Sequence, residues 1–252
     1  MSGDTVRTRR QERRAATVAA RRAGRRNRGG AKSPSRIGLG TISIAAIAVG
    51  LLVVAFALLT RPPQSSGLGA IVVAGAPAGI PVDGETIGAA NAPVVVDVYE
   101  DFQCPVCLAW SRNVFPGLAR NELADGKARL VFHGYQFIGP ESRDAGRAAW
   151  AAAQQGRFWD MWATLYANQG LRENGGSFSA DRLAAMASAI GLDTTRFAAD
   201  FDSIDASKAV ADGVSAAEAA GVTATPTVLV NGAPVPSLDY PTLASAIAAA
   251  AR

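Results

Sequence analysis

Residues 93–107 read PVVVDVYEDFQCPVC, and this stretch decides how the chain folds. Its first part, residues 93–99, is apolar and β-branched with Asp97 as the one interruption, which predicts a central strand buried on both faces. A short loop then leads to Cys104, and Pro105 suits the first position of a helix because its missing N–H is not needed there. A cysteine pair that follows a strand and begins a helix is typical of a dithiol/disulfide site.

The number of cysteines excludes two roles for this pair. Cys104 and Cys107 are the two cysteines among 252 residues, so they cannot belong to a larger disulfide framework or to a four-cysteine zinc site. The single histidine, His133, lies in a predicted strand, where a structural role is expected. Two cysteines and one histidine do not complete a closed zinc site without carboxylates. The sequence therefore predicts reversible redox chemistry, with no bound metal or cofactor.

The predicted helix after Cys104 has an apolar face. Residues at spacings of three and four share that face: Cys107, Trp110, Val114 and Leu118. Cys107 should therefore point toward the core, while Cys104 should sit at the tip, where the helix N-terminus lowers the pKa of a thiol. Pro116 should kink or interrupt the helix.

The next elements suggest an α/β domain. Residues 129–137 form the next predicted strand, which should pair in parallel with the first through a right-handed connection. An alanine-rich stretch, about 141–221, predicts four or five helices, with N-caps at Ser179 and Asp193 and stops at Gly156 and Gly191. Its four neighbouring aromatic residues are interpreted as helix-packing core rather than a ligand site. They are Phe158, Trp159, Trp162 and Tyr166.

The C-terminal part completes the order of elements. Residues 225–230 predict a strand that leads into Asn231-Gly232, a strong hairpin signal. Pro234 places the return strand at an edge because it cannot donate a ladder hydrogen bond. An alanine-rich helix over about 240–250 closes the domain. This order is that of a thioredoxin-like α/β fold with an inserted helical subdomain.

The N-terminal 67 residues have a different character. Residues 1–36 hold 12 Lys and Arg against Asp4 and Glu12, and residues 37–60 are 24 residues without a charge, enough for one transmembrane helix. A cleaved signal peptide ending near Ala55-Phe56-Ala57 is the alternative, but its apolar stretch would exceed the usual length. The basic residues predict a disordered cytoplasmic tail by the positive-inside rule, which explains them more simply than binding to nucleic acid or anionic lipid, or an organellar transit peptide. Residues 61–67 form a linker, and residues 68–252 an extracytoplasmic domain.

Several separated motifs resemble the DsbA-like thiol:disulfide oxidoreductases, especially the membrane-anchored members of Gram-positive and actinobacterial lineages. They are DFQCPVC at 101–107, QGRFW at 155–159, YANQ at 166–169 and GVTATPTVLVNG at 221–232. The resemblance covers roughly residues 67–252. It implies a thioredoxin fold with a helical insertion and a cis proline at Pro226 packed beside the disulfide. It also implies that Thr225, just before that proline, meets the substrate chain and tunes the disulfide.

One departure from the family concerns the proton carrier. Many relatives place a buried carboxylate six residues before the first cysteine, where this chain has Val98. Asp97 should face the other side of the strand. Glu100 and Asp101 are nearer to Cys104 in the sequence, but their interpretation as solvated loop charges is at least as good as their interpretation as proton carriers. The sequence therefore leaves the proton carrier for Cys107 unidentified.

The resemblance implies a membrane-anchored monomer that introduces disulfides into exported proteins. Cys104 would be attacked by substrate, Cys107 would be the buried resolving thiol, and a membrane partner of the DsbB or VKOR type would restore the disulfide. Two alternatives stay open: a reductase or isomerase of the same fold, and a non-catalytic membrane-tethered binding module whose cysteine pair is static. The residues alone do not set the direction of electron flow.

Overall fold

The computed structural model describes residues 68–252. The predicted basic tail, membrane helix and linker, residues 1–67, lie outside the described residues. Among residues 68–252, no helix combines the length and apolar character needed to cross a membrane.

A six-stranded mixed sheet lies at the centre of the described region. Its strands, in chain order, are β1 (Val82–Asp83), β2 (Thr86–Gly88), β3 (Val94–Glu100), β4 (Ala128–Gly134), β5 (Thr227–Val230) and β6 (Ala233–Pro234). The spatial order is β1-β2-β4-β3-β5-β6, in which β3 and β4 are parallel and every other pair is antiparallel. The parallel pairing and the edge position of Pro234 are confirmed. The strand predicted over 129–137 ends earlier, at Gly134.

Strand β3 is central, but its two faces are not equally buried. Val94, Val96 and Val98 are completely buried, whereas Asp97 and Tyr99 on the other face are only partly covered. The expectation of burial on both faces was therefore half right. The reason is that most helices pack their apolar residues on the valine face, while Tyr99 meets a small separate cluster.

The helices follow the predicted order. They are α1 (Pro105–Asn113), α2 (Phe115–Leu118), α3 (Pro140–Ala153), α4 (Phe158–Ala167), α5 (Ala180–Ala189), α6 (Thr194–Phe201), α7 (Ile204–Ala219) and α8 (Tyr240–Ala250), with a π-helical turn at Ala119–Leu123. Five of them, α3 to α7, form the insertion between β4 and β5. The interruption near Pro116 is confirmed, because α1 ends at Asn113 and α2 begins at Phe115.

The predicted N-cap residues and glycine stops lie at the ends of helices in the structure. The Asp193 side chain caps α6 by accepting hydrogen bonds from Thr195 N (2.9 Å) and Arg196 N (3.0 Å). Ser179 occupies the N-cap position of α5 without a side-chain capping bond. Gly156 and Gly191 follow α3 and α5 with φ of 69° and 78°, values that favour glycine.

An extended segment before the sheet, residues 71–77, lies along α4 and is called the strap below. Alternate strap residues form hydrogen bonds with side chains that are one helical turn apart along α4 and its C-cap. The pairs are Val72 with Asn168 (the C-cap residue), Ala74 with Thr164 and Ala76 with Asp160. Four helical residues advance about 6 Å and two extended residues about 6.6 Å, so the two spacings match. The strap therefore fixes α4 along one side.

Candidate active site

Cys104 and Cys107 lie at the N-terminus of α1, both as free thiols. Cys104 is the N-cap residue with an extended backbone (φ −70°, ψ 120°), and Pro105 starts the helix as predicted. Cys107 is completely buried on the apolar helix face, whereas Cys104 keeps 6% of its surface exposed. The predicted orientation of the two sulfurs is confirmed, and Cys104 is the one that solvent or another thiol can approach.

The surroundings separate the acidities of the two thiols. The pKa of Cys104 is lowered to about 6, first by the hydrogen bond from the Cys107 thiol, against the opposing effect of burial, and further by Thr225 and the backbone N–H groups of Val106 and Cys107. The pKa of Cys107 is raised, first by burial and then by its hydrogen bond to Cys104 and the charge of Glu100. At neutral pH, the reduced pair therefore holds a thiolate at Cys104 and a proton at Cys107.

Glu100 is the main residue that sequence analysis misjudged. It is completely buried and not a solvated loop charge, because it continues the alternation of Val96 and Val98 at the end of β3. Trp162 Nε1 donates to its Oε2 at 2.9 Å, and its Oε1 has no hydrogen-bond partner among the described residues. Burial raises its pKa to about 8, so it is protonated at neutral pH. The alternation was the signal that could have identified it.

Asp101 is also completely buried, which again corrects its interpretation as a solvated charge. Its Oδ1 accepts hydrogen bonds from Gln103 N (2.8 Å) and Ser142 Oγ (2.6 Å), and its Oδ2 accepts from Phe137 N (2.9 Å) and Ile138 N (3.0 Å). Burial raises its pKa, and these hydrogen bonds oppose that effect. Asp101 therefore holds the loop before the cysteine pair onto the start of α3.

Thr225 and Pro226 lie next to the cysteine pair, although they are far from it in the sequence. Their peptide bond is cis, as the family resemblance implies. Cys104 Sγ lies 3.3 Å from Thr225 O and donates to it when protonated. The backbone before β5 is thus adjacent to the sulfur that a substrate would attack. Contact of Thr225 with substrate stays a prediction.

The other titratable residues considered in the sequence lie elsewhere. Asp97 and His133 are on the partly covered sheet face, opposite to Glu100, and their side chains are 2.8 Å apart. The His133 ring stacks on Tyr99 with centroids 4.6 Å apart. Within residues 68–252, no cluster of three or more His, Cys, Asp or Glu residues is arranged to hold a metal ion.

The aromatic residues of α4 are core residues, as predicted, with one addition. The four predicted side chains are all nearly inaccessible, and they pack against one another in tilted or edge-on contacts, while Phe115 stacks on Trp159. Trp162 also bonds to Glu100, so the packing core positions the buried carboxyl. Sequence analysis did not predict this second role.

This geometry suits thiol–disulfide exchange. One sulfur is accessible and forms a stable thiolate, which makes it a good nucleophile at neutral pH and a good leaving group. The second sulfur is enclosed and keeps its proton, because burial, the hydrogen bond to Cys104 and the Glu100 carboxylate charge all raise its pKa. The arrangement can therefore exchange a disulfide with a thiol that reaches the Cys104 sulfur.

Comparison with known proteins agrees with this chemistry. A family model described as Thioredoxin matches residues 82–249. The probable disulfide bond formation protein D of Bacillus cereus is 31% identical over 153 residues, which cover 59% of this chain and 70% of that protein.

Two crystal structures share the fold. Oxidised BdbD from Bacillus subtilis has a TM-score of 0.62 at 22% identity and covers 67% of this chain and 93% of its own. A thioredoxin-like oxidoreductase from Silicibacter pomeroyi DSS-3 has a TM-score of 0.55 at 27% identity and covers 68% and 91%, respectively. Fold, cysteine geometry and sequence similarity agree, and the chain belongs to the thioredoxin family as a DsbA-like thiol:disulfide oxidoreductase.

Proposed function

We propose that this enzyme introduces disulfides into exported proteins and works outside the cytoplasm, anchored by residues 37–60. The observation that supports oxidation of the substrate, and not its reduction, is the difference in pKa between the Cys104 and Cys107 thiols. A thiolate at Cys104, with its pKa lowered to about 6, stabilises the reduced pair. A stabilised reduced form makes the corresponding disulfide a stronger oxidant, which is the property a disulfide donor needs.

The oxidation step begins with a substrate thiolate that attacks Cys104 Sγ in the Cys104–Cys107 disulfide. The bond between the two enzyme sulfurs breaks, a mixed disulfide forms, and Cys107 leaves with the electron pair. A second substrate thiolate then attacks the substrate sulfur of the mixed disulfide, and Cys104 leaves as a thiolate. The substrate gains a disulfide and loses two protons, of which one ends on Cys107 and one is released to solvent.

Glu100 is proposed as the proton carrier for Cys107. It is protonated at neutral pH because burial raises its pKa to about 8, and its Oε1 has no hydrogen-bond partner among residues 68–252. A proton from this carboxyl would neutralise the leaving Cys107 in a site that disfavours a second negative charge. Trp162 holds the other oxygen and so orients the carboxyl.

The proposed location and route of reoxidation are supported by features of the sequence. Disulfides persist outside the cytoplasm, and an uncharged segment of 24 residues would keep the enzyme at the membrane. There a membrane oxidase of the DsbB or VKOR type would accept two electrons from the reduced pair, the Cys104–Cys107 disulfide would form again, and Cys107 would lose its proton. A substrate would be an exported protein with at least two cysteines.

The reduction potential of the full-length protein tests whether the enzyme oxidises or reduces its substrates. Because the chain has two cysteines, equilibration in glutathione buffers followed by maleimide labelling reports on this couple alone. A value near about −120 mV, typical of strongly oxidising DsbA, would support a disulfide donor. A value near about −270 mV, as in thioredoxin, would instead assign a reductase.

Labelling in intact cells tests the location. A membrane-impermeant maleimide should modify the reduced protein in intact cells that express the full chain, and alkaline carbonate should leave the protein in the membrane fraction. Labelling only after lysis would place the cysteines inside the cell. Release by carbonate would contradict the anchor.

A further inference from the structure

A loop beside the active site, residues 169–178, is fastened to the segment that precedes α1. This loop is called the rim loop below. Gln169 Nε2 donates to the carbonyl oxygens of Phe102 (2.7 Å) and Cys104 (3.0 Å). Asn174 N donates to Gln103 Oε1 at 2.5 Å, and Gln103 Nε2 donates to Asn174 Oδ1 at 3.2 Å. The rim loop is therefore tied to the backbone on both sides of the reactive sulfur.

The far end of the rim loop is tied to α3. Glu141 accepts hydrogen bonds from Gly176 N (2.6 Å) and Phe178 N (2.9 Å), and Phe178 is completely buried. Between these attachments the side chain of Leu171 is fully exposed, at 106% of its reference area. A large apolar side chain that a fastened loop holds in solvent is suited to contact another molecule.

The rim loop and α1 line a groove of about 650 Å³, and Gln103 and Pro105, the chain neighbours of Cys104, are part of its wall. Its apolar lining includes Pro105, Leu108 and Leu171, and its charged lining is Arg112, Arg172 and Glu173. Residues 68–252 hold 12 basic and 19 acidic residues, a net charge of −7. The groove thus has an excess of positive charge on an acidic domain, which favours an acidic ligand.

The two arginines of the groove are available for such a ligand. Both are exposed, and neither forms an ion pair with another residue in the described part of the chain. An extended substrate chain whose cysteine is bonded to Cys104 would have its neighbouring residues close to this groove. Apolar contact with Leu171 and Leu108 and charge contact with the arginines could then act on the same short segment.

We propose that this groove binds the substrate segment next to the reacting cysteine, and that it selects segments in which an acidic residue accompanies an apolar one. This inference rests on the proposed oxidation of exported proteins, because the groove would act on the same bound substrate. It adds a specificity determinant on the rim-loop side of Cys104.

Matched dithiol peptides test the groove. Both peptides carry two cysteines, with leucine and aspartate on each outer side in one peptide and leucine and lysine in the other. Oxidised full-length protein is mixed with each peptide at low ionic strength, and quenched samples are labelled with maleimide. Each rate is divided by the rate of the same peptide with hydroxyethyl disulfide, which removes differences in thiol reactivity.

We expect the acidic peptide to react about threefold to tenfold faster, as for one or two exposed ion pairs, and this ratio to fall with salt. Arg172→Glu and Arg112→Glu should each reduce or invert the ratio. Arg143→Glu, the same change at an exposed arginine of α3 outside the groove, should leave the ratio as in the wild type. A third peptide, with serine in place of each leucine of the acidic peptide, should react more slowly than the acidic peptide, and Leu171→Ser should reduce that difference.

The outcomes separate the two proposals. If neither peptide is oxidised, the proposed function fails. If both peptides are oxidised at equal normalised rates, or if the arginine variants keep the wild-type ratio, the groove is not the specificity determinant and the proposed function stands. Circular dichroism of each variant verifies that the exposed substitutions leave the fold intact.

Discussion

Cys104 Sγ lies 3.3 Å from the carbonyl oxygen of Thr225, although the two residues are 121 positions apart in the chain. The start of α1 and the segment before β5 therefore meet at the reactive sulfur. Cys104 lies at this contact, whereas Cys107 is buried, so the two cysteines should differ in reactivity and in pKa.

The two cysteines should respond differently to substitution by serine. Cys104→Ser should abolish thiol exchange, because Cys107 is completely buried and cannot be attacked from solution. Cys107→Ser should accumulate mixed disulfides with substrate, because the resolving thiol is missing. Non-reducing gels of each variant after incubation with a reduced substrate provide the measurement. Equal accumulation by both variants would contradict the assigned roles.

The Cys104 thiolate should depend on the Cys107 thiol. Alkylation of the reduced wild type should show a midpoint near pH 6, and Cys107→Ala should move that midpoint upward because the first cause of the lowered pKa is lost. Cys107→Ser keeps a hydroxyl donor and should move it less. The rate of iodoacetamide modification against pH gives these midpoints. A midpoint that is the same in all three proteins would contradict the hydrogen bond.

The same thiolate should link redox state to stability. The folded pKa of Cys104, about 6, is below the unfolded value of about 8.5, so the stabilising contribution is fully present above pH 8.5 and is lost as pH falls through 6. The oxidised protein has no such group. The stability of the reduced form relative to the oxidised form should therefore rise between pH 5 and pH 8, in urea unfolding of both forms.

Glu100 should set the pH dependence of substrate oxidation. Because its pKa is about 8, the rate of Cys107 release should decline above pH 8 as the carboxyl loses its proton. Glu100→Gln should lower the rate at pH 7 by at least about tenfold and remove this inflection. Stopped-flow mixing of oxidised protein with a dithiol peptide measures both effects. Glu122→Gln is the matched control, a carboxyl that Tyr240 contacts at 3.0 Å, and an equal loss in that variant would argue against a specific role.

Glu100 should also reduce stability at high pH. Its folded pKa of about 8 is above the unfolded value of about 4.3, so its contribution is fully present below pH 4.3 and is lost as pH rises through 8. In the reduced form, Glu100→Gln should therefore gain stability relative to the wild type between pH 5 and pH 8, by at most about 5 kcal/mol. Urea unfolding at several pH values measures this difference, and a constant difference would contradict the raised pKa.

Asp101 should stabilise the active-site loop. Asp101→Asn places an amide group among four donors that the carboxylate now accepts, so at least one donor loses its partner. We expect a loss of about 1–3 kcal/mol in the free energy of unfolding. Asp202→Asn, an identical change at an exposed side chain, should have little effect. Urea denaturation of both variants tests the difference, which should disappear if the loop is held by other contacts.

Much of the fold could be predicted from local patterns. The parallel pair β3 and β4, the helix that begins at Pro105, the five inserted helices and the hairpin at Asn231-Gly232 all correspond to periodicity, capping or turn chemistry within a few residues. The length of β4 and the uneven burial of the two faces of β3 could not be predicted from local sequence patterns. Both depend on which segments pack against the sheet.

By itself the sequence determined the redox pair, the order of elements and the orientation of Cys107, because cysteine spacing and helical periodicity are local properties. Only the tertiary structure decided that Glu100 and Asp101 are buried and that Trp162 holds Glu100. It also decided that the Thr225 carbonyl meets Cys104 and that the rim loop carries Leu171 beside the site. The physical reason is the same in each case. Burial, pKa and contact depend on segments that are tens of residues apart in the chain and become neighbours only after packing.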